Sequence, residues 1–177
     1  MIHRTLTLAL ATAIAGLATA PAMAQNSSTI TLTGRVTAGT CTVTNPTITM
    51  PDVSAKDMTA PGRIVASNTP LTIQLSGCSG VTGARLTFGG TADRDTDVTT
   101  VFKNKATTGA APHTAIWLGH TSCTTSSNDL SPGATRDHTF TSGTFSIPLC
   151  AAYYAKSTGV VKAGTFSSTF NVLITYQ

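Results

Sequence analysis

Glutamate is absent from the 177 residues: all seven acidic side chains are aspartates, at positions 52, 57, 93, 95, 97, 129 and 137. Without glutamate there is no Glu pair for glycoside hydrolysis. There is also no residue to close a calcium loop opened by Asp93, Asp95 and Asp97, and Val98 stands where such a loop needs glycine. Charge of either sign is scarce, at 10% of the chain against about a quarter in an average domain. The formal net charge of +4 includes Arg4 and is spread without a Lys or Arg cluster. Nucleic acid and anionic membrane surfaces are therefore not expected partners. No Gly-x-Ser-x-Gly elbow accompanies the Ser, His and Asp residues, and His138 beside Asp137 reads as a surface turn rather than a general base. His113, His120 and Cys123 fit no closed zinc spacing. An enzyme, a bound metal and a cofactor are all unexpected.

Long apolar runs are lacking too, with one exception at the start. His3 and Arg4 precede an apolar run over residues 6–20, too short to span a bilayer, and Ala22-Met23-Ala24 is a small-x-small cleavage site. Residues 1–24 are expected to be a signal peptide removed before Gln25. The product is then secreted, and four cysteines in such a chain imply two disulfides, with three connectivities open.

What the chain has in abundance is threonine, about a fifth of all residues. With lysine scarce and glutamate missing, helix formers are in short supply. Short alternating runs punctuated by Gly, Pro, Ser and Asn predict an all-β fold, a sandwich of one domain. The expected strands are 40–44, 47–50, 71–75, 85–88, 115–118, 138–141, 144–154 and 166–176. Residues 51–68 and 89–112 read as long excursions. The sole tryptophan, Trp117, between Ile116 and Leu118, is expected in the sandwich core.

Both ends of the mature chain are strongly patterned. Residues 28–36, Ser-Thr-Ile-Thr-Leu-Thr-Gly-Arg-Val, put Ile30, Leu32, Gly34 and Val36 on one face of an extended strand. Residues 166–176 end in Phe170, Val172, Ile174 and Tyr176 with the same period of two. Termini usually fray, so each strand is expected to have a partner.

An alternating arm with an internal glycine, Cys41 a few residues later, Cys78 after the strand Leu71-Thr-Ile73-Gln-Leu75, and Tyr176 one place before the end together resemble the subunits of chaperone-usher pili, such as type 1 and P fimbriae. The resemblance implies an incomplete immunoglobulin-like β-sandwich. Residues 25–37 would form a donor-strand arm, through Ser28, Ile30, Leu32, Gly34 and Val36, and residues 38–177 a pilin domain lacking its last strand. It selects a Cys41–Cys78 disulfide, leaving Cys123 with Cys150, a pair that the simplest family members lack. It implies an acceptor groove walled by Phe170, Val172, Ile174, Tyr176 and Gln177. A periplasmic chaperone fills this groove first and the next subunit's arm afterwards, with an outer-membrane usher and other pilus subunits, in a homopolymer, as further partners and a host receptor as a candidate one. The product would be an extracellular cell-surface fimbrium contributing to adhesion. A minor adaptor of the same pilus, or a free-standing secreted sandwich with lectin-like binding, are the competing readings.

Overall fold

The structure is a computed structural model that describes residues 31–35, 39–121, 123, 129–140 and 143–177. Met1–Arg35 and Val36–Gln177 are separate compact units. In the first, residues 31–35 have no regular secondary structure and are exposed, Leu32 to 91%. Ser28, Ile30 and Val36 lie outside the described residues.

The second unit folds as two antiparallel sheets, because the alternating runs each have one apolar face to bury. In the first sheet, β1 (Thr40–Thr44) pairs with β3 (Thr69–Ser79), β3 with β8 (Gly143–Ala155), β8 with β6 (Thr114–His120) and β6 with β5 (Phe102–Lys103). The two-residue β2 (Gly62–Arg63) joins the far end of β8. The second sheet runs β7 (Ala134–Thr139), β4 (Gly83–Phe88), β9 (Val172–Tyr176). The core between them holds Ile73, Leu75, Ile116, Leu118, Ile147 and Leu149 from the first sheet and Ala84, Leu86 and Phe88 from the second.

One local irregularity sets the chemistry of β3. Leu71, Ile73 and Leu75 share a face, and strict alternation would put Gly77 there next. A register shift between Leu75 and Cys78, with Gly77 at φ +62°, inserts one residue and turns Cys78 inward. Cys78 then bonds Cys41 of β1, and Cys123 bonds Cys150 of β8.

Sequence expectations need correction at several points, beginning with the strand expected over 138–141, which runs over Ala134–Thr139 instead. Residues 45–50 are not a strand: after β1 they run on without ladder partners. The last strand is paired over Val172–Tyr176 rather than 166–176: its partner β4 ends at Phe88, past which Gly89 N–H still reaches the Asn171 carbonyl. Trp117 is buried, at 5% exposure, but on the outer face of the first sheet. There a second small core of Val101, Ala115, Cys150 and Ala152 surrounds it, the Arg63 guanidinium lies 3.7 Å from its ring centre, and Asp129 accepts its indole N–H at 2.7 Å. Its neighbour two places on must be glycine, since a Cβ on Gly119 would meet the indole at 2.2 Å. With both faces covered, β6 reads as a nearly continuous apolar run.

His138 is also not a surface turn. It points inward from β7 and faces His120 of β6 across the gap between the sheets, with ring centres 5.1 Å apart. The Nε2 atoms of both are buried without a hydrogen-bond partner. Burial, helped by Arg136, pushes both imidazoles below the usual histidine range, and each suffers from or tolerates its charged neighbours: His138 lowers His120, and only Asp137 pulls His138 the other way. Because the folded pKa values lie below the unfolded one near 6.5, the native state binds fewer protons. The stability they contribute is complete above about pH 6.5 and is lost as pH falls through the folded values. The thermal midpoint is expected to be lower at pH 5 than at pH 7.5, and His138→Phe should flatten that profile; an equally steep profile in the variant would refute the assignment.

Candidate functional site

Among the described residues, the gap between the sheets opens along one side. There a groove of about 660 Å³ runs between two walls. One wall is residues 43–50, with Val43, Ile48 and Met50; the other is residues 166–174. The floor is the core itself: Leu71 and Ile73 of β3, Ile116 and Leu118 of β6, Leu149 and Ala151 of β8. An apolar trench floored by core residues leaves hydrophobic surface unburied, which is costly in a finished domain.

The wall carried by β9 is also a sheet edge that no other described strand pairs with. Gly89 N–H donates to the Asn171 carbonyl, Gln177 N–H to Gly83, and Thr82 N–H to a Gln177 oxygen, each at 2.8–2.9 Å. In an extended chain the backbone groups of alternate residues point the same way, so 171, 173, 175 and 177 face β4. The N–H and C=O groups of Val172, Ile174 and Tyr176 therefore face away from β4, into the opening. Their side chains are half-buried over the core, and Leu173 on the outer face is 66% exposed. An extended peptide laid along this edge could pair with the backbone and seat alternate side chains in the groove.

The groove's ends are fixed. At one end the Tyr176 hydroxyl donates to the Cys41 carbonyl at 3.1 Å, joining β9 to the root of β1 across the sandwich. That root is tight, because a Cβ on Gly39 would come within 2.3 Å of the Ser79–Gly80 backbone. At the other end Phe170 stacks on Phe102 at 4.1 Å.

Phe170, Val172 and Ile174 line one wall of the groove; Tyr176 and Gln177 follow on the same strand and its end, outside the lining. Of Ser28, Ile30, Leu32, Gly34 and Val36 in the arm, Leu32 and Gly34 are described, both exposed. Sequence reasoning missed the opposite wall, Ile48 and Met50, whose alternation with threonine had suggested an ordinary strand. The three aspartates at 93, 95 and 97 are each neutralised by lysine. Lys105 Nζ meets Asp93 at 2.5 Å, and Lys156 meets Asp95 at 3.0 Å and Asp97 at 2.8 Å. The Lys105 hydrogen bond holds the Asp93 carboxyl below the usual range, and those from Lys156 and Thr158 do the same for Asp97. Among the described residues no group of three or more His, Cys, Asp or Glu is placed to hold a metal.

A two-sheet antiparallel sandwich of this form is the fold of pilus subunits. The chain superimposes on the P pilus rod subunit PapA with a TM-score of 0.61 at 19% identity, over 77% of this chain and 99% of that one. A chaperone-usher pilus solved for its rod uncoiling gives 0.60 at 21%, over 89% and 100%.

The chain belongs to the fimbrial protein family, whose model, described as "Fimbrial protein", matches residues 30–177. It is 35% identical over 166 residues to the F17 fimbrial protein of Escherichia coli, covering 84% of this chain and 86% of that protein. It is also 35% identical over 95 residues to the laminin-binding fimbrial subunit ElfA of Escherichia coli O157:H7, half of this chain and 52% of that protein.

Proposed function

We propose that this fimbrial subunit polymerises by donor-strand exchange. Its pilin domain, residues 38–177, is an immunoglobulin-like sandwich lacking its final strand, and the arm, residues 25–37, supplies that strand to a neighbouring copy. The observation that carries this reading is the apolar groove of about 660 Å³ with the edge of β9 beside it, unpaired among the described residues. Nine residues from Ser28 to Val36 extend about 30 Å. Seating Ile30, Leu32 and Val36 would contribute on the order of 5–8 kcal/mol before ordering costs, and each ladder hydrogen bond adds about 0.5–1.5 kcal/mol net. Gly34 suits a point where the groove is shallow.

Before assembly the same groove needs a temporary occupant. A periplasmic chaperone strand would lie along Phe170, Val172, Ile174 and Tyr176 and anchor near Gln177, with an outer-membrane usher receiving the complex after residues 1–24 are removed. The finished product is an extracellular fimbrium contributing to cell adhesion. The relationship to a laminin-binding subunit supports a host-surface ligand for that fimbrium.

The test is denaturing gel electrophoresis of surface material, unboiled against boiled, for the wild type and a chain lacking residues 28–36. A ladder that collapses on boiling and disappears with the arm is expected. A single monomer band in every lane, with the shortened chain folded and equally stable, would sink the reading.

A further inference from the structure

On the reading that the groove receives a donor strand, we propose that Asn104 and Lys105 are positioning residues for it: they hold residues 166–170 as a continuation of the β9 edge, so that the edge offered to the incoming strand is eleven residues long rather than five.

The need for such a device is a matter of length. Strand β9 is five residues, about 17 Å, whereas the nine-residue arm spans about 30 Å. Residues 166–171 would supply the rest, yet no strand pairs with them. The loop after β5 takes that place. The Asn104 side-chain oxygen accepts from Ala106 N–H at 3.0 Å and Ser167 N–H at 3.1 Å, while its amide group donates to the Thr165 carbonyl at 3.1 Å and the Ala111 carbonyl at 3.3 Å. Lys105 N–H donates to the Ser167 carbonyl at 2.6 Å, and its ammonium bridges the Thr169 carbonyl and Asp93. Asp93 in turn accepts from Gly90 N–H at 2.8 Å, just past the end of β4. The carbonyls of 165, 167 and 169 are thereby engaged on one side.

These bonds fall in phase with the sheet. Because 165, 167 and 169 face the loop as 171 faces β4, the backbone groups of Phe166, Ser168 and Phe170 face the opening together with those of Val172, Ile174 and Tyr176. The burial pattern agrees: every even residue from 166 to 176 is half-buried and every odd one exposed. Ser168 marks the edge chemically. It lines the groove, and its hydroxyl is buried with no hydrogen-bond partner among the described residues, a cost that a strand lying beside it would relieve.

The experiment uses full-length polymer. Amide hydrogen exchange in the wild type is expected to show protection at Phe166, Ser168 and Phe170 as well as at Val172, Ile174 and Tyr176. Asn104→Ala and Lys105→Met should lose protection at the first three only and shed subunits in detergent roughly ten- to hundredfold faster. Lys105→Arg should restore both, and Arg85→Ala, which removes an exposed ion pair on the outer face of the same sheet, should change neither. Unprotected amides at 166, 168 and 170 in the wild-type polymer, unchanged release in the variants, or equal loosening at all six amides would overturn the proposal. Absence of any ladder from the wild type would instead remove the donor-strand reading beneath it.

Discussion

A chain carrying Ala151→Trp is expected to fold and form both disulfides yet add nothing to a detergent-resistant polymer. Ala151 is 4% exposed in the middle of β8, opposite Leu118 on one side and Thr69 on the other, and its methyl forms part of the groove floor. An indole there stands up into the groove instead of into the packed core, so it takes space that an incoming strand needs. Each apolar seat denied to the arm removes about 1.5–3 kcal/mol, or roughly ten- to hundredfold in occupancy per seat, and a ring this size covers more than one. Because the ring has the open volume of the groove to occupy rather than the packed core, the isolated domain should keep its stability. Loss of the ladder together with a retained or raised thermal midpoint is the expected pair of results. A normal ladder from Ala151→Trp would separate the groove from assembly.

Much of this arrangement is legible in the sequence, for a simple physical reason. Leu71, Ile73 and Leu75, and again Val172, Ile174 and Tyr176, alternate because a strand with one buried face must alternate, and the pattern survives in the folded chain. The sequence is silent where backbone groups find partners other than strands. Residues 45–50 alternate, and so do 166–171 but for Ser168 on the inward face, yet neither has a ladder among the described residues. Side-chain period reports which face is buried and says nothing about which edge is bonded. Asn104 and Lys105 carry no periodic signal at all, since their work is done by one amide and one ammonium reaching about sixty residues along the chain. Gly77 and Gly119 are intermediate cases. A glycine inside a strand pattern signals a bulge or a close approach, and Trp117-x-Gly119 could have been read as a ring lying across a missing side chain. What could not be read is that Arg63 would cap that ring.

The two disulfides should have nearly equal effects on stability and opposite effects on assembly. They close separations of 37 and 27 residues, which in the chain-entropy model are worth about 3.8 and 3.6 kcal/mol. Removing either pair by double alanine substitution should therefore lower the thermal midpoint by on the order of 10 °C. Their surroundings differ. Cys123 and Cys150 sit on the outer face of the first sheet, where Arg63 and Asn68 donate to the Cys123 carbonyl and Trp117 packs alongside; none of these residues lines the groove. Cys41 and Cys78 tie β1 to β3 at the end where Tyr176 bonds the Cys41 carbonyl. Without that tie, the wall of residues 43–50 loses its anchor, and the groove loses one side. Cys123→Ala with Cys150→Ala should then give a less stable subunit that still forms a full ladder, whereas Cys41→Ala with Cys78→Ala should form little or none at a matched loss of stability. Gel ladders and melting curves on the two double variants decide the point. Equal ladders at equal midpoints would mean that the Cys41–Cys78 bond contributes only stability and that the groove wall holds its place without it.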